Sequence, residues 1–349
     1  MTYALAGLLL LAPLWAWHIG AGWPPSLRDN GIKTLAVAGV VILATVCWPL
    51  AILWGLAIWH WKDPDDVPQP DLHPPIAGVI VIGTIAAVFL LAAAVPVRDL
   101  AWLRWAILAA GFGQLAVLGW QANVLYRERH RGYTYHFWRD SLRGSMGNRV
   151  VTGGFLAFCF ALAPASLLPV FGLGVLVTNS FTALAAATVA LAIRYPTWVF
   201  YWGPLLPIAL VICWHWRGHP GDSIAGRTAI WWLVWRSWVE DDWQGRIVGR
   251  GHWIFGRRAR WWHAQGLVRD IYSHAHQDGL QFLIEYGALG AFAVLAWLAL
   301  LSRGMAVGDP WTAAVAVGLT VSLNQFTLHL PHTGLPVVAA AGVLWGRLG

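Results

Sequence analysis

The sequence predicts an all-α integral membrane protein with about ten to twelve transmembrane helices. Three observations predict it. Hydrophobic residues make up 58% of the 349 residues and charged ones only 11%, and the mean hydropathy is +0.58, a balance that excludes an ordinary soluble globular chain. Apolar runs recur along the whole length, several near the roughly 20 residues that cross a bilayer as a helix and others short or interrupted. The remaining polar residues collect in a few connections instead of alternating with apolar ones.

In chain order, apolar runs predict spans near 3–19, 35–58, 75–96, 101–125, 150–165, 166–178, 180–194, 196–214, 280–302, 310–329 and 333–347. Thr2–Trp17 has no basic leader and no small-residue cleavage site, so it is expected to be a retained first span. Lys62–Pro75 is a Pro/Asp-rich polar loop. Pro164 and Pro169 interrupt the centre of the chain and suggest broken or re-entrant helices, which are tolerated where protein surrounds them. Composition divides the chain into N-terminal helices (1–130), a basic loop with central helices (131–214), a large hydrophilic loop with surface helices (215–278) and C-terminal helices (279–349).

Cys47, Cys159 and Cys213 all lie in apolar runs and are expected to be buried thiols, not a disulfide or metal framework. Many of the 26 tryptophans end apolar runs: Trp15, Trp17, Trp59 and Trp61 fit aromatic belts. Those at 231, 232, 235, 238, 243, 253, 261 and 262 share one polar region. Anchoring at the membrane surface is the first explanation for them, and stacking on sugar rings the second. Arg227, Trp231, Trp235 and Trp238 fall on one helical face, as in a helix lying on a membrane.

Charge concentrates in two connections. Tyr126–Arg149 carries six arginines against two acids, and Trp214–Asp278 carries nine arginines and six histidines against six acids. Alternating the spans puts both loops on one side, and the positive-inside bias would make that side cytoplasmic unless the arginines bind anions. The sequence pI of 9.7 is accounted for by these loops. No phosphate-cradling loop, dinucleotide fingerprint or nucleic-acid module is present, so no nucleic-acid partner is expected.

The loop-to-span boundary at Ser273–Gly290 concentrates candidate chemistry. It brings His274, His276 and Asp278 to the start of an apolar helix and carries Glu285 within its first turns. An ionisable residue in a span is expensive and marks a functional-site candidate. His274, His276 and Asp278 repeat every second residue, which suits a strand and not a helix face, and no Cys joins them; no metal site is expected. His329 and His332 flank Pro331 at a span end and could line the same cavity or sit at the interface.

His276-Gln277-Asp278-Gly279-Leu280, followed by Glu285-Tyr286-Gly287 and Gly290, resembles the His-Asn-x-x-Leu…Glu-x-Gly-x-x-Gly signature of the O-antigen ligase/polymerase family. Gly226-Arg227…Trp231, then Gly249-Arg250-Gly251 and Phe255, looks like the Gly-Arg-x-x-x-Trp…Gly-x-Gly…Phe stretch that precedes it. Arg143…Gly147-Asn148-Arg149…Gly154-Phe155-Leu156 is similar to its Gly-Asn-x-Asn-x-x-Ala element, and Thr178-Asn179-Ser180…Ala183-Leu184-Ala185 stands where a Ser-Arg-Gly-Ala-Leu-like helix start is found. The resemblance covers about residues 140–345. Val150, Gln277 and Phe181 depart from it, replacing Asn, Asn and Arg.

The resemblance implies a GT-C-like fold with one large periplasmic loop in the bacterial inner membrane. It implies an inverting, metal-independent glycosyltransferase without cofactor that moves a glycan from undecaprenyl diphosphate to a sugar hydroxyl. The acceptor would be lipid A–core in a ligase, or a lipid-linked glycan or protein hydroxyl in a polymerase or protein transferase. A lipid-glycan transporter or a non-catalytic lipid-binding protein is the reading from another class, but its charges would lie in mid-span along a pathway. A departing diphosphate needs fixed cations, which Arg supplies with a planar, permanently charged fork. Arg227 is the first candidate, Arg143 or Arg149 a second clamp, and Asn148, Arg250, His274 and Trp231 further contacts. Headgroup binding accounts for most of the other loop arginines. His276 would be the base that takes the acceptor proton, since an unperturbed imidazole is mostly neutral near pH 7. Asp278 is expected to cap the helix start, and Glu285 to fix a neighbouring span through a buried hydrogen bond or to pair with an arginine.

Overall fold

The computed structural model describes residues 44–59, 76–128, 142–146, 148–198, 221–252, 254–269, 274–323, 325 and 331–348. Side chains are described for these except 58–59, 76–81, 128, 221–226 and 331–332. The expected spans 3–19 and 196–214 fall largely or wholly outside this set, as do the 62–75 loop, Cys213, Trp253 and His329.

Among the described residues the secondary structure is helical throughout, with no strand. The helices are α1 (Trp48–Trp59), α2 (Ile76–Ala93), α3 (Leu100–Glu128), α4 (Arg149–Leu162), α5 (Leu168–Val177), α6 (Phe181–Arg194), α7 (Gly221–Val239), α8 (Trp243–Val248), α9 (Ile254–Ala264), α10 (Asp278–Ser302), α11 (Pro310–Ser322) and α12 (Pro331–Gly346). Among the described residues two segments, Val97–Arg127 and Asp278–Ser302, are long and apolar enough to cross a membrane. Along α3, Trp102, Trp105, Phe112 and Trp120 are exposed. A core helix of a soluble protein would bury such side chains; lipid is the solvent that suits them.

Two compact units share the chain, and each is built from separated pieces. One comprises Met1–Ala94, Ser223–Gly304 and Leu348–Gly349; the other comprises Val95–Asp222 and Met305–Arg347.

In the second unit, α4, α6 and α11 pack closely around small residues. Ala183, Ala186, Ala187 and Ala190 line the buried side of α6. A Cβ on Gly153 would lie 2.5 Å from Thr178 Oγ1, and one on Gly318 would lie 2.5 Å from Val337. Close approach over small residues brings the backbones together and supplies dispersion contact. The proline-interrupted stretch is a broken helix, as expected. Helix α4 stops at Leu162, a 3-10 turn covers Ala165–Leu167, and α5 restarts with Pro169 in its first turn, where its missing N–H costs nothing. The 14 residues of α4 and 10 of α5 reach only about 21 and 15 Å, short of a hydrocarbon core of about 30 Å.

The first unit packs α10 on α1. A Cβ on Gly83 of α2 would lie 3.2 Å from the Trp54 ring, Trp48 meets Phe292 at 6.1 Å, and Phe89 meets Trp297 edge-on at 5.7 Å. A separate small core joins α7, α9 and the start of α10 through Ile230, Val234, Ile254, Phe255, Trp262, Ala275 and Ile284. This core corrects the expected orientation of α7. Ile230 and Val234, one turn apart, are buried, whereas Trp232 and Trp235 are exposed. The Arg227–Trp231–Trp235–Trp238 row therefore runs along the flank of the buried stripe, and its members are put to different uses.

Candidate functional site

The site is built where the loop 274–277 enters α10. His276 has φ +56°, a left-handed conformation that an L residue other than Gly adopts at a cost of about 1–2 kcal/mol. Its two neighbours hold it there. Ala275 is fully buried; its N–H donates to Gln281 Oε1 at 3.0 Å, and its carbonyl accepts from Trp231 Nε1 at 2.9 Å. Gln277 is extended and caps α10, its side-chain oxygen accepting from the Leu280 N–H. The turn is thus clamped from α7 on one side and α10 on the other. His274 and His276 emerge half-buried on either side of Ala275, with His276 Nδ1 in the buried part of the ring.

The capping assignment changes as a result. Gln277, not Asp278, caps the helix, because its extended backbone aims the amide oxygen at the third helical N–H. Asp278 occupies the first helical position and is buried, with 3% of its surface exposed. A carboxylate there still meets the positive end of the helix dipole.

Glu285 is fully buried and is reached by side chains, not by an arginine, among the bonds described. Gln281, one turn earlier, donates to Glu285 Oε1 at 2.9 Å, and His252 Nδ1 lies 3.2 Å from Oε2. A relay therefore runs from the Ala275 amide through Gln281 and Glu285 to His252. Gln281 and His252 had not been singled out in the sequence. The signal for Gln281 was an amide on the helix face one turn before Glu285, where a polar group in an apolar segment must find a partner.

Gly287 has φ +66° and ψ −167° inside α10 and kinks it. The Glu285 carbonyl is turned toward Gly251, whose N–H donates to it at 2.8 Å. Here two backbones touch without side chains between them. A Cβ on Gly249 (φ +79°) would lie 2.2 Å from Glu285 O, and one on Gly287 would lie 2.4 Å from Ile247 O. The paired glycines of Gly249-Arg250-Gly251 and Glu285-Tyr286-Gly287 thus answer each other across one contact.

Arg250 is committed elsewhere than a diphosphate. Its Nη2 lies 2.6 Å from both Asp241 Oδ1 and Asp242 Oδ2, while Arg258 Nη2 lies 2.6 Å from Asp241 Oδ2. Burial pushes the Asp241 carboxyl up, but the bonds from Arg250 and Arg258 outweigh it and hold it below the usual range. The Gly245 amide, then Arg250, does the same for Asp242, the N-cap of α8. Chiefly through Asp241, these bonds keep the Arg250 guanidinium charged. Trp231 likewise serves as a tether for the His276 loop, while Arg227, half-buried, precedes it by one helical turn, about 6 Å of rise.

Arg143, Asn148 and Arg149 belong to the second unit. Asn148 is the N-cap of α4, its Oδ1 accepting from Val150 N at 2.8 Å. Arg149 opens α4 half-buried, and Arg143 is exposed. Gln121 of α3 grips the Arg143–Gly144 turn: its Oε1 accepts from Gly144 N at 3.0 Å and Arg143 N at 3.2 Å. Gln114 holds Ser145 by a 2.6 Å bond to its hydroxyl and a 3.1 Å bond from its N–H. Ser180, at the last motif, caps α6 through Ala183 N, after Asn179 in a left-handed turn.

Among the described residues no cluster of His, Cys, Asp and Glu is arranged to hold a metal ion. The chain matches no family model, no curated protein and no solved structure.

Proposed function

We propose that this chain is a multi-pass glycosyltransferase of the bacterial inner membrane, of the O-antigen ligase/polymerase kind, acting at its periplasmic face. The observation that carries the proposal is the clamped turn at Ala275. Two hydrogen bonds, one buried and one partly buried, hold one histidine in a left-handed conformation beside the helix that bears Arg227. Strain of this kind persists only where surrounding contacts over-determine it, and it clusters at functional sites.

In the proposed reaction His276 accepts the acceptor hydroxyl proton on Nε2. The hydroxyl oxygen attacks the anomeric carbon of the donor, the carbon–oxygen bond to the diphosphate breaks, and the diphosphate leaves with that electron pair. Inversion follows from attack opposite the leaving group. Arg227 faces the growing charge with a planar donor fork. The relay through Gln281, Glu285 and His252 supports the base by fixing the loop, not by touching substrate.

The test is glycan transfer by purified protein supplied with undecaprenyl-diphosphate-linked glycan and lipid A–core. His276→Ala should lower turnover by about 10²–10⁴-fold, the usual worth of a positioned base, with membrane insertion unchanged. Arg227→Lys should also fail, because a point charge does not replace the fork. Wild-type turnover by His276→Ala refutes the base. Sidedness is tested by a cysteine at exposed Gln244 and an impermeant thiol reagent applied to cells; labelling from the cytoplasm only refutes the periplasmic transferase. Envelope gels of a deletion strain separate the enzymes: a ligase mutant loses all capped chains, and a polymerase mutant keeps single-repeat caps.

A further inference from the structure

Beside the Arg250–Asp241 node lies an open cleft of about 400 Å³, lined by Ser237, Glu240, Asp241, Ile254, Arg257, Arg258, Trp261 and Trp262. Its size falls within the range of small-ligand sites, about 300–1,000 Å³. Its walls differ in kind. Trp262 and Ile254 are buried members of the core that also contains Ala275, so this wall is rigid and continuous with the base of the His276 loop. Trp261, its neighbour, leaves 58% of its surface exposed on the same cleft.

The charges in the cleft discriminate between ligands. A phosphate or diphosphate needs cations that converge without competing acids. Here Asp241 already bonds Arg258, and the Glu240 carboxylate, paired with Arg236 on α7, stands on the same rim. Acids and guanidinia interleave, so the field has no single sign. Such a lining offers planar acceptors and donors at short intervals around an aromatic plate. An uncharged polyhydroxylated ring fits it: its C–H face stacks on indole and its vicinal hydroxyls both donate and accept.

We propose that this cleft is a saccharide-binding subsite, with Trp261 as the stacking platform and Glu240 and Arg257 as hydroxyl partners, which holds a neutral sugar of the glycan being handled. It rests on the glycan-transferase reading and adds a substrate contact that does no chemistry. In effect the two explanations for the loop tryptophans divide: Trp261 serves sugar, while Trp232 and Trp235 on exposed α7 positions remain for the membrane surface.

The experiment is saturation-transfer difference NMR on the full chain in detergent, with neutral malto-, manno- and chito-oligosaccharides of three to six units as probes. Transfer to ring C–H protons of at least one series is expected. Trp261→Ala should weaken that binding about tenfold or more, a stacking contribution near one tenfold step in Kd. Trp261→Phe should keep most of it, and excess inorganic diphosphate should not compete. His276→Ala should bind as wild type, so a dead catalyst with intact binding leaves this inference standing, and an active enzyme without sugar binding refutes it alone. No transfer from any series, unchanged binding by Trp261→Ala, or displacement by phosphatidylglycerol or phosphatidylethanolamine vesicles would each overturn it, the last assigning the cleft to lipid headgroups.

Discussion

Replacing Trp231 by Phe keeps an aromatic ring on α7 and removes the 2.9 Å bond from Nε1 to the Ala275 carbonyl. That carbonyl belongs to a fully buried residue, so no water replaces the donor. A typical hydrogen bond nets about 1 kcal/mol, and a buried partner left unsatisfied raises the loss to about 1–3 kcal/mol. The left-handed backbone at His276 (φ +56°) costs a similar amount, about 1–2 kcal/mol. The tether and the strain are therefore nearly matched, and removing the tether lets relaxed loop conformers compete. The productive conformer should fall by between about 5- and 150-fold, the Boltzmann weight of 1–3 kcal/mol. In the transfer assay kcat should fall by about fivefold or more while KM for donor holds, because the damage is to the position of the base. Global melting should fall only by the same small energy, about 1–2 °C per kcal/mol. Wild-type kcat in folded Trp231→Phe would refute the clamp. A raised KM at unchanged kcat would mean that Trp231 touches substrate directly.

Gly249→Ala and Gly256→Ala form a matched pair. The first puts a Cβ 2.2 Å from the Glu285 carbonyl at φ +79° and should cost about 2–5 kcal/mol from left-handed strain and overpacking together, seen as lost melting temperature or lost accumulation. The second has nothing within 4 Å and a helical position in α9, and should be neutral or gain up to about 1 kcal/mol. Asp241 and Asp242 have depressed carboxyl pKa values in the folded state. The stability they lend is present above the unfolded value, near 3.9, and lost as pH falls through the lower folded values. Limited proteolysis of the 241–262 segment should therefore stay slow from neutral pH down to about 4 and accelerate below it. Asp241→Asn should be cut faster already at neutral pH; equal rates for the two proteins at pH 7 would refute the node.

The helical class and most helix positions were legible because they depend on local composition. Nine expected spans correspond to helices, and where their ends fall among the described residues these differ from the apolar runs by a few residues. The breaks at Pro164 and Pro169 were legible for the same reason: a missing N–H acts on its own turn whatever surrounds it. The glycines of the 249–251 and 287 segments could be noticed as a pattern, but their purpose could not, since only the contact between two backbones explains why neither tolerates a Cβ.

What the sequence determined by itself about Ser273–Gly290 is that an apolar helix starts there with histidines at its mouth and a carboxylate inside it. Residue type and spacing suffice for that. Which of those groups caps, which anchors and which is presented was decided only by tertiary structure. Gln277 takes the cap, Glu285 bonds Gln281 and His252, and Trp231, 44 residues away from Ala275, holds the turn that carries His276. The physical reason is that a buried polar group must be paired, and its partner is chosen by whatever the fold brings within about 3 Å. Sequence distance carries no information about that choice.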